Sequence, residues 1–334
     1  MSLTESILEG NRLTLARLLT QVENDLPEGR TALAELFPHT GSAHLIGVTG
    51  APGTGKSSLV NQLALYYRKH EDKKIAIIAV DPSSPFTGGA VLGDRVRMRD
   101  LSGDHGIFIR SMASRGSVGG IARTTASLVQ VFDAAGFVII IIETVGAGQS
   151  EVEVARLAHT TIVVEAPGMG DDIQAIKAGI LEIADILVIN KVDRPGVENT
   201  ERALHSTLEL AHPTKHVFRH QGQTISTGSG ENAEPSMWIP PINKTVSTEG
   251  KGIAELTESI ARHVGHLRQS GDWADRDRST LGSEMEAILR EALMSRFIET
   301  FPDEKYEEII GKVLNRNISP YEAVNILLSG NSTS

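Results

Sequence analysis

Cysteine is absent from the 334-residue chain. Disulfides and thiolate metal sites are therefore excluded, and cysteine usage gives no clue to the redox compartment. No apolar run approaches the about 18–20 residues that a membrane span needs. The longest, Phe137–Ile142, is strand-sized and bounded by Gly136 and Gly146. The N-terminus has neither the basic start nor the apolar stretch of a signal peptide, and no membrane partner is expected. Positive charge is in deficit: the net charge of −10 argues against a general nucleic-acid binder. The 11 histidines form no tract. His212, His216 and His220 recur at four-residue spacing, but Pro213 disfavours the helix that would put them on one face, and they read as solvated loop residues. No internal repeat is visible. What remains is a soluble-type composition, 40% hydrophobic, long enough for one large or two small domains with ample core.

Against these absences one stretch stands out, Gly50-Ala51-Pro52-Gly53-Thr54-Gly55-Lys56-Ser57. It fits Gly, four residues, Gly-Lys-Ser. An apolar run precedes it (His44-Leu45-Ile46-Gly47-Val48), and a helical pattern of Leu59, Leu63, Tyr66 and Tyr67 follows Ser58. Strand, loop and helix in that order make it a phosphate loop. Glycines let the backbone turn its N–H groups inward, and the helix N-terminus adds positive dipole. Lys56 is expected to reach the β- and γ-phosphates, and the Ser57 hydroxyl to ligate magnesium. A cytoplasmic location fits such a nucleotide site.

The rest of the chain arranges itself around that loop. Residues 3–36 read as helical, with a break at Pro27-Glu28-Gly29 and a linker from Pro38 to Ser42. From residue 44 to about 268, apolar strands alternate with helical patterns: Leu45–Val48, Ile75–Val80, Ile107–Arg110, Phe137–Ile142, Thr161–Glu165, Ile186–Asn190 and Ile242–Val246. Strands that are apolar throughout belong to parallel sheets covered on both faces, so the expected fold is a doubly wound α/β domain with ligands at the carboxyl ends of the strands. Residues 221–236 are polar and glycine-rich and read as a surface loop. Residues 272–280 are charged, Leu281 to Phe301 reads as an amphipathic helix, and two shorter helices follow near 303–315 and 319–328. The expected division is a helical extension (1–42), a nucleotide domain (43–268) and a helical C-terminal region (269–334).

Several strand ends carry residues suited to one ligand. Asn190-Lys191-Val192-Asp193 ends a strand about 135 residues beyond the phosphate loop. An aspartate here accepts from both guanine N1–H and the exocyclic amino group, which adenine cannot match, so GTP is expected over ATP. Ser247-Thr248-Glu249, after Val246, is a candidate to close the guanine pocket through its backbone. Glu143-Thr144-Val145-Gly146 follows the Phe137–Ile142 strand; its carboxylate suits magnesium or its water shell, and Gly146 N–H suits the γ-phosphate. Asp81 and Asp94 are further magnesium candidates, more than the ion needs directly. In Gly168-Met169-Gly170-Asp171-Asp172-Ile173-Gln174-Ala175-Ile176-Lys177, glycines flank a hinge and Gln174 and Lys177 share a helix face, an arrangement able to position water or stabilise charge once ordered.

Taken together these blocks resemble the MeaB/ArgK/MMAA family of P-loop GTPases, relatives of the nickel-insertion GTPases. The resemblance runs from about residue 10 to the C-terminus and rests on 50–57, 81–98, 110–116, 143–151, 167–180 and 190–193. It implies a homodimeric, slowly hydrolysing GTPase that chaperones an adenosylcobalamin-dependent acyl-CoA mutase, gating cofactor loading, with an adenosyltransferase as a further partner. It implies phosphate and magnesium roles for Lys56 and Ser57, a magnesium sphere of Asp81, Asp94 and Glu143, and guanine recognition by Asn190 and Asp193. It implies a client-ordered switch at Asp171, Gln174 and Lys177, and a dimer arm in the C-terminal helices. Ser117 stands where relatives often have histidine, and 221–236 resembles an insertion. Two other readings share the fold: a metal-insertion GTPase, which the lack of cysteine and of a histidine tract disfavours, and a small-molecule kinase, for which no amino-acid substrate pocket is indicated.

Overall fold

In the computed structural model, residues 2–82, 101, 103–114, 120–144, 149–168, 183–211, 237–301 and 303–329 are described. They pack as two compact units, Met1–Thr280 and Leu281–Ser334. Seven parallel strands of the first unit form one sheet: β1 (His44–Thr49), β2 (Ile75–Pro82), β3 (Ile107–Ser114), β4 (Ile139–Thr144), β5 (Thr160–Glu165), β6 (Ile186–Asn190) and β7 (Ile242–Thr245). Their order is β3-β2-β4-β1-β5-β6-β7. β1, bearing the phosphate loop, is central, between β4 and β5. The doubly wound parallel sheet expected from unbroken apolar strands is what forms, and β4, β5 and β6 are buried at every residue.

Helices cover both faces: α4 (Lys56–Glu71) and α8 (Ile253–Ser270) on one, α5 (Gly120–Ala134) and α6 (Gln149–Leu157) on the other, with α7 (Val197–Ala211) beside β6. The N-terminal extension is α1 (Leu3–Leu8), α2 (Arg12–Glu23) and α3 (Pro27–Leu36), and its Leu15, Leu18, Leu19 and Leu36 join the core on the α5 face. The second unit holds most of α9 (Asp272–Thr300), with α10 (Asp303–Leu314) and α11 (Pro320–Ser329) closing a small core around Phe301, Ile309 and Ala323.

Three local expectations need correction. Pro27-Glu28-Gly29 starts a helix rather than breaking one: Pro27 takes the first position, where its missing N–H costs nothing, and Gly29 lies against α2, where a β-carbon would stand 3.0 Å from the Gln21 carbonyl carbon. The break falls just before it, at 24–26, where Asp25 takes φ 53°, and a second lies at Gly10 (φ 86°), after which the Asn11 side chain caps α2. β4 starts at Ile139, not Phe137, because Phe137 N–H is spent on the Phe132 carbonyl and its ring packs on Phe132 and Phe108. The charged stretch 272–280 is the first part of α9, with Asp272 and Asp275 favourably placed in its first turn.

That helix start is anchored at the amino ends of β1, β5 and β6, the edge of the sheet away from the phosphate loop. Arg276 makes a bidentate pair with Asp185 at 2.8 and 2.9 Å and donates to the His159 carbonyl at 2.8 Å. Thr161 N–H also reaches Asp185, at 2.8 Å, and His263 Nε2 stands 3.2 Å from it. Thr160 Oγ1 bridges His44 Nε2 at 2.8 Å and His263 Nδ1 at 2.9 Å. Leu45 N–H donates to His159 Nδ1, which leaves the His159 proton on Nε2 to bond Asp277 at 2.8 Å, while Trp273 stacks on the same ring at 4.0 Å.

Candidate functional site

The carboxyl ends of the strands converge on the loop at 50–55. Gly50 must be glycine: its φ is 135°, and a β-carbon there would lie 2.1 Å from the Val164 carbonyl oxygen of β5. Gly55 is under a second constraint. At φ 95° it directly precedes α4, and a β-carbon would lie 2.4 Å from Asn190 Nδ2. α4 starts with no side-chain cap, so its first N–H groups remain for an anion. Pro52, Gly53 and Ser58 are exposed, while Thr54 is buried and donates to the Ala51 carbonyl at 3.0 Å.

Lys56 is 6% exposed, and its ammonium donates to the carbonyls of Gly50 at 2.7 Å and Ala51 at 3.1 Å. Ser57 Oγ donates to Glu143 Oε1 at 2.6 Å, and Glu143, near the end of β4, is 4% exposed. Two hard oxygens so held fit magnesium, which takes few protein ligands beside phosphate oxygens and waters. Asp81 is the seventh residue of β2 and pairs in register with Ala113. Its neighbour Val80 is level with Thr144, so the Asp81 backbone lies beside the Glu143 strand end.

β6 brings the second motif to the loop. Asn190 is 2% exposed and ties three segments together. Its amide donates to the Thr54 carbonyl at 2.8 Å, and its Oδ1 accepts from Ser247 N–H (3.1 Å), Ser247 Oγ (2.8 Å) and Thr245 Oγ1 (3.1 Å). Lys191, at φ 60°, reaches the Gly53 carbonyl at 2.5 Å. Asp193 and Thr248 are exposed at the mouth of this junction, and Ser247 is buried in the short helical turn Ser247–Glu249. Phosphate loop, Asn190-Lys191-Val192-Asp193 and the 247–249 turn are thus one constellation. Asp94, Gly146, Asp171, Gln174, Lys177, Ser117, residues 221–236 and the three spaced histidines lie outside the described residues.

Two contributors were not singled out from sequence. Thr245 carries no signal beyond its place in a strand, yet its hydroxyl fixes the Asn190 amide. Glu151, in the first turn of α6, is 4% exposed and within electrostatic range of Lys56; burial raises its pKa and the Lys56 charge pulls it back. The available signal was its place eight residues after Glu143, inside the same motif block. Among the described residues, no helix is long and apolar enough to cross a membrane, and no cluster of three or more metal-binding side chains occurs.

Comparison with known proteins agrees with this geometry. A Pyrococcus horikoshii protein named only as a GTPase is 42% identical over 98% of this chain and 96% of its own length. GTPase ArgK of Escherichia coli is 34% identical over 96% of this chain and 93% of its own. The crystal structure titled LAO/AO transport system kinase superposes with a TM-score of 0.67 at 26% identity, covering 99% of this chain and 97% of that one. The family model described as methylmalonyl Co-A mutase-associated GTPase MeaB matches residues 15–301, and the chain belongs to this MeaB family of GTPases.

Proposed function

We propose that the chain is a GTP-driven chaperone of an adenosylcobalamin-dependent acyl-CoA mutase, whose cofactor loading it gates and which it protects. The observation that carries the guanine half of the reading is the Asn190 brace, which fixes the turn at 247–249 and the Asp193 loop in register with the phosphate loop. The client half rests on the family, whose model is described as mutase-associated. An adenosyltransferase that supplies the cofactor is the expected further partner.

In this reading Lys56 and the loop amides hold the β- and γ-phosphates, and Gly53 to Ser58 wrap them. Ser57 and Glu143 would hold magnesium, with Asp81 and Asp94 as further candidates for its sphere; the ion would supply charge neutralisation for the phosphates. Asp193 reads the guanine edge, with Asn190, Lys191, Ser247 and Thr248 around it. Gly146 senses the γ-phosphate. Asp171, Gln174 and Lys177 complete the site when the client orders them, so basal turnover is slow. The reaction is phosphoryl transfer to water, driven by positioning and charge.

A second copy of this chain is the other expected partner. On α9, Leu281, Met285, Ile288, Leu289 and Leu293 recur at helical spacing and are each 44–66% exposed. A solvated apolar stripe of that length favours burial against its own copy.

GTP turnover with and without the purified mutase tests the client. Stimulation by the mutase, blunted in Lys177→Ala and Gln174→Ala, is expected; equal turnover in its presence and absence would remove the chaperone reading.

A further inference from the structure

One carboxylate of the nucleotide site has no part in the scheme above. Glu151 lies in the first turn of α6, where an acidic residue serving only the helix dipole would sit in water, yet it is 4% exposed.

The packing of α6 accounts for its inward position. The helix lies against Gly47 of β1: a β-carbon at Gly47 would stand 3.1 Å from both Val154 Cγ1 and Ala158 Cβ. Glu151 is three residues before Val154 and shares that face, one turn nearer the helix start. The connection from β4 through α6 to the parallel strand β5 makes α6 descend as β1 climbs. From the middle of the Val154–Ala158 contact Glu151 lies about 7–8 Å back along α6, which at about 3.3 Å per strand residue is the level of Thr49, next to Gly50 and the phosphate loop. On the other side stands Lys56, buried and turned back onto the carbonyls of Gly50 and Ala51. Burial raises the Glu151 pKa, and the Lys56 charge lowers it in part.

We propose that Glu151 is a positioning residue that acts through Lys56: its carboxylate holds the ammonium back in the loop and competes with the phosphates for it. This rests on the reading of residues 50–57 as the phosphate site. An ammonium that neutralises the β–γ bridge must leave the Gly50 and Ala51 carbonyls, and a buried anion behind it opposes that move. The opposition grows with the charge of the incoming nucleotide, so Glu151 weakens GTP more than GDP. It keeps the protein from locking onto the triphosphate.

The test is a double-mutant cycle read by calorimetry, with GTP and GDP each titrated in excess magnesium. Glu151→Gln keeps the shape and removes the charge. It is expected to tighten GTP about fivefold and GDP about twofold, a gain in affinity that a merely structural residue would not give. In the Lys56→Gln background the same substitution is expected to change either affinity by less than about twofold. Glu151→Asp, which withdraws the carboxylate by one methylene, is expected to tighten GTP about twofold and stands in should the glutamine variant not fold. Unchanged or weaker GTP binding by a folded Glu151 variant overturns the inference, as does a gain that survives without Lys56. Wild-type protein that binds neither nucleotide removes the phosphate-site reading and this inference with it. Wild-type binding that is lost in Lys56→Gln, beside an inert Glu151→Gln, sinks the Glu151 role alone.

Discussion

Asp185→Asn is expected to destabilise the first unit without touching nucleotide affinity. Asp185 is 7% exposed and precedes β6, at the opposite end of that strand from Asn190. Its carboxylate accepts from both Arg276 nitrogens and from Thr161 N–H, with His263 Nε2 at 3.2 Å. Burial pushes its pKa up, but the hydrogen bonds from Arg276 and His263 and their charges more than reverse that, to about 2 from an ordinary 3.8. A depression of that size is worth about 2 kcal/mol of folding stability above pH 4, lost as the pH falls through the folded value. Substitution by asparagine costs more, because the guanidinium loses its counter-charge while an amide N–H₂ faces the donors. Breaking a buried pair costs about 3–5 kcal/mol. The Arg276 side chain is 35% exposed and recovers some hydration, which puts the estimate at the low end, about 3 kcal/mol.

For a unit of this size that is a fall of about 6–10 °C in melting temperature. Scanning calorimetry measures it, and GTP titration of the folded variant at 20 °C supplies the control. A fall below about 2 °C would refute the energetic reasoning. A folded variant with GTP affinity weakened more than about threefold would refute the independence of the two ends of the sheet.

Other perturbations have equally definite outcomes. Gly55→Ala, at φ 95° and 2.4 Å from Asn190 Nδ2, is expected to weaken GTP at least about tenfold by calorimetry. Asp193→Asn is expected to weaken GTP and admit xanthosine triphosphate in a competition assay, because the new amide donates to the exocyclic oxygen that xanthine has instead of an amino group. Leu289→Glu, on the 54%-exposed centre of the α9 stripe, is expected to shift the mass seen by light scattering from dimer to monomer. Burial first, and neighbouring cationic groups second, hold the His44 pKa well below its ordinary 6.5; burial lowers His159 too, against the pull of Asp277. Both are bases with depressed folded values, so the unfolded chain takes up protons first. The melting temperature is expected to be flat above pH 6.5 and to fall below it, and a flat profile down to pH 5 would refute this.

The two ends of the sheet differed in how far the sequence disclosed them, and the cause is physical. At the carboxyl end the chain must turn at φ values that favour glycine and pass within van der Waals contact of another backbone, as Gly50 does at Val164. Such demands leave their mark in consecutive residues, so 50–57 and 190–193 were readable with their strands. So were all seven strands, since a parallel strand buried on both faces has no polar alternation to obscure it. Thr245 and Glu151 were not, because each acts through one residue remote in sequence. At the amino end the bonded partners are remote from one another in sequence. The Asp277 that bonds His159 is 118 residues away, and the Arg276 that pairs with Asp185 is 91 away. A histidine before a strand and an arginine in a charged run carry no pattern until the fold joins them.

That difference bears on how the molecule works. β1, β5 and β6 each join a network residue at one end to a nucleotide-site segment at the other: His44 to Gly50, Thr160 to the Val164 backbone that confines Gly50, Asp185 to Asn190. These strands are five or six residues long, and β5 and β6 are buried throughout. Such short, fully packed strands have few alternative arrangements, so the sheet is better suited to holding the nucleotide loops in register than to relaying a change along its length. On the proposed chaperone reading, a GTP-dependent signal would then run through the loops at the carboxyl ends rather than through the strands to α9. On this argument Asp185→Asn changes stability and leaves nucleotide affinity alone, while Glu151→Gln changes the nucleotide response. Opposite behaviour of the two variants would assign the relay to the sheet.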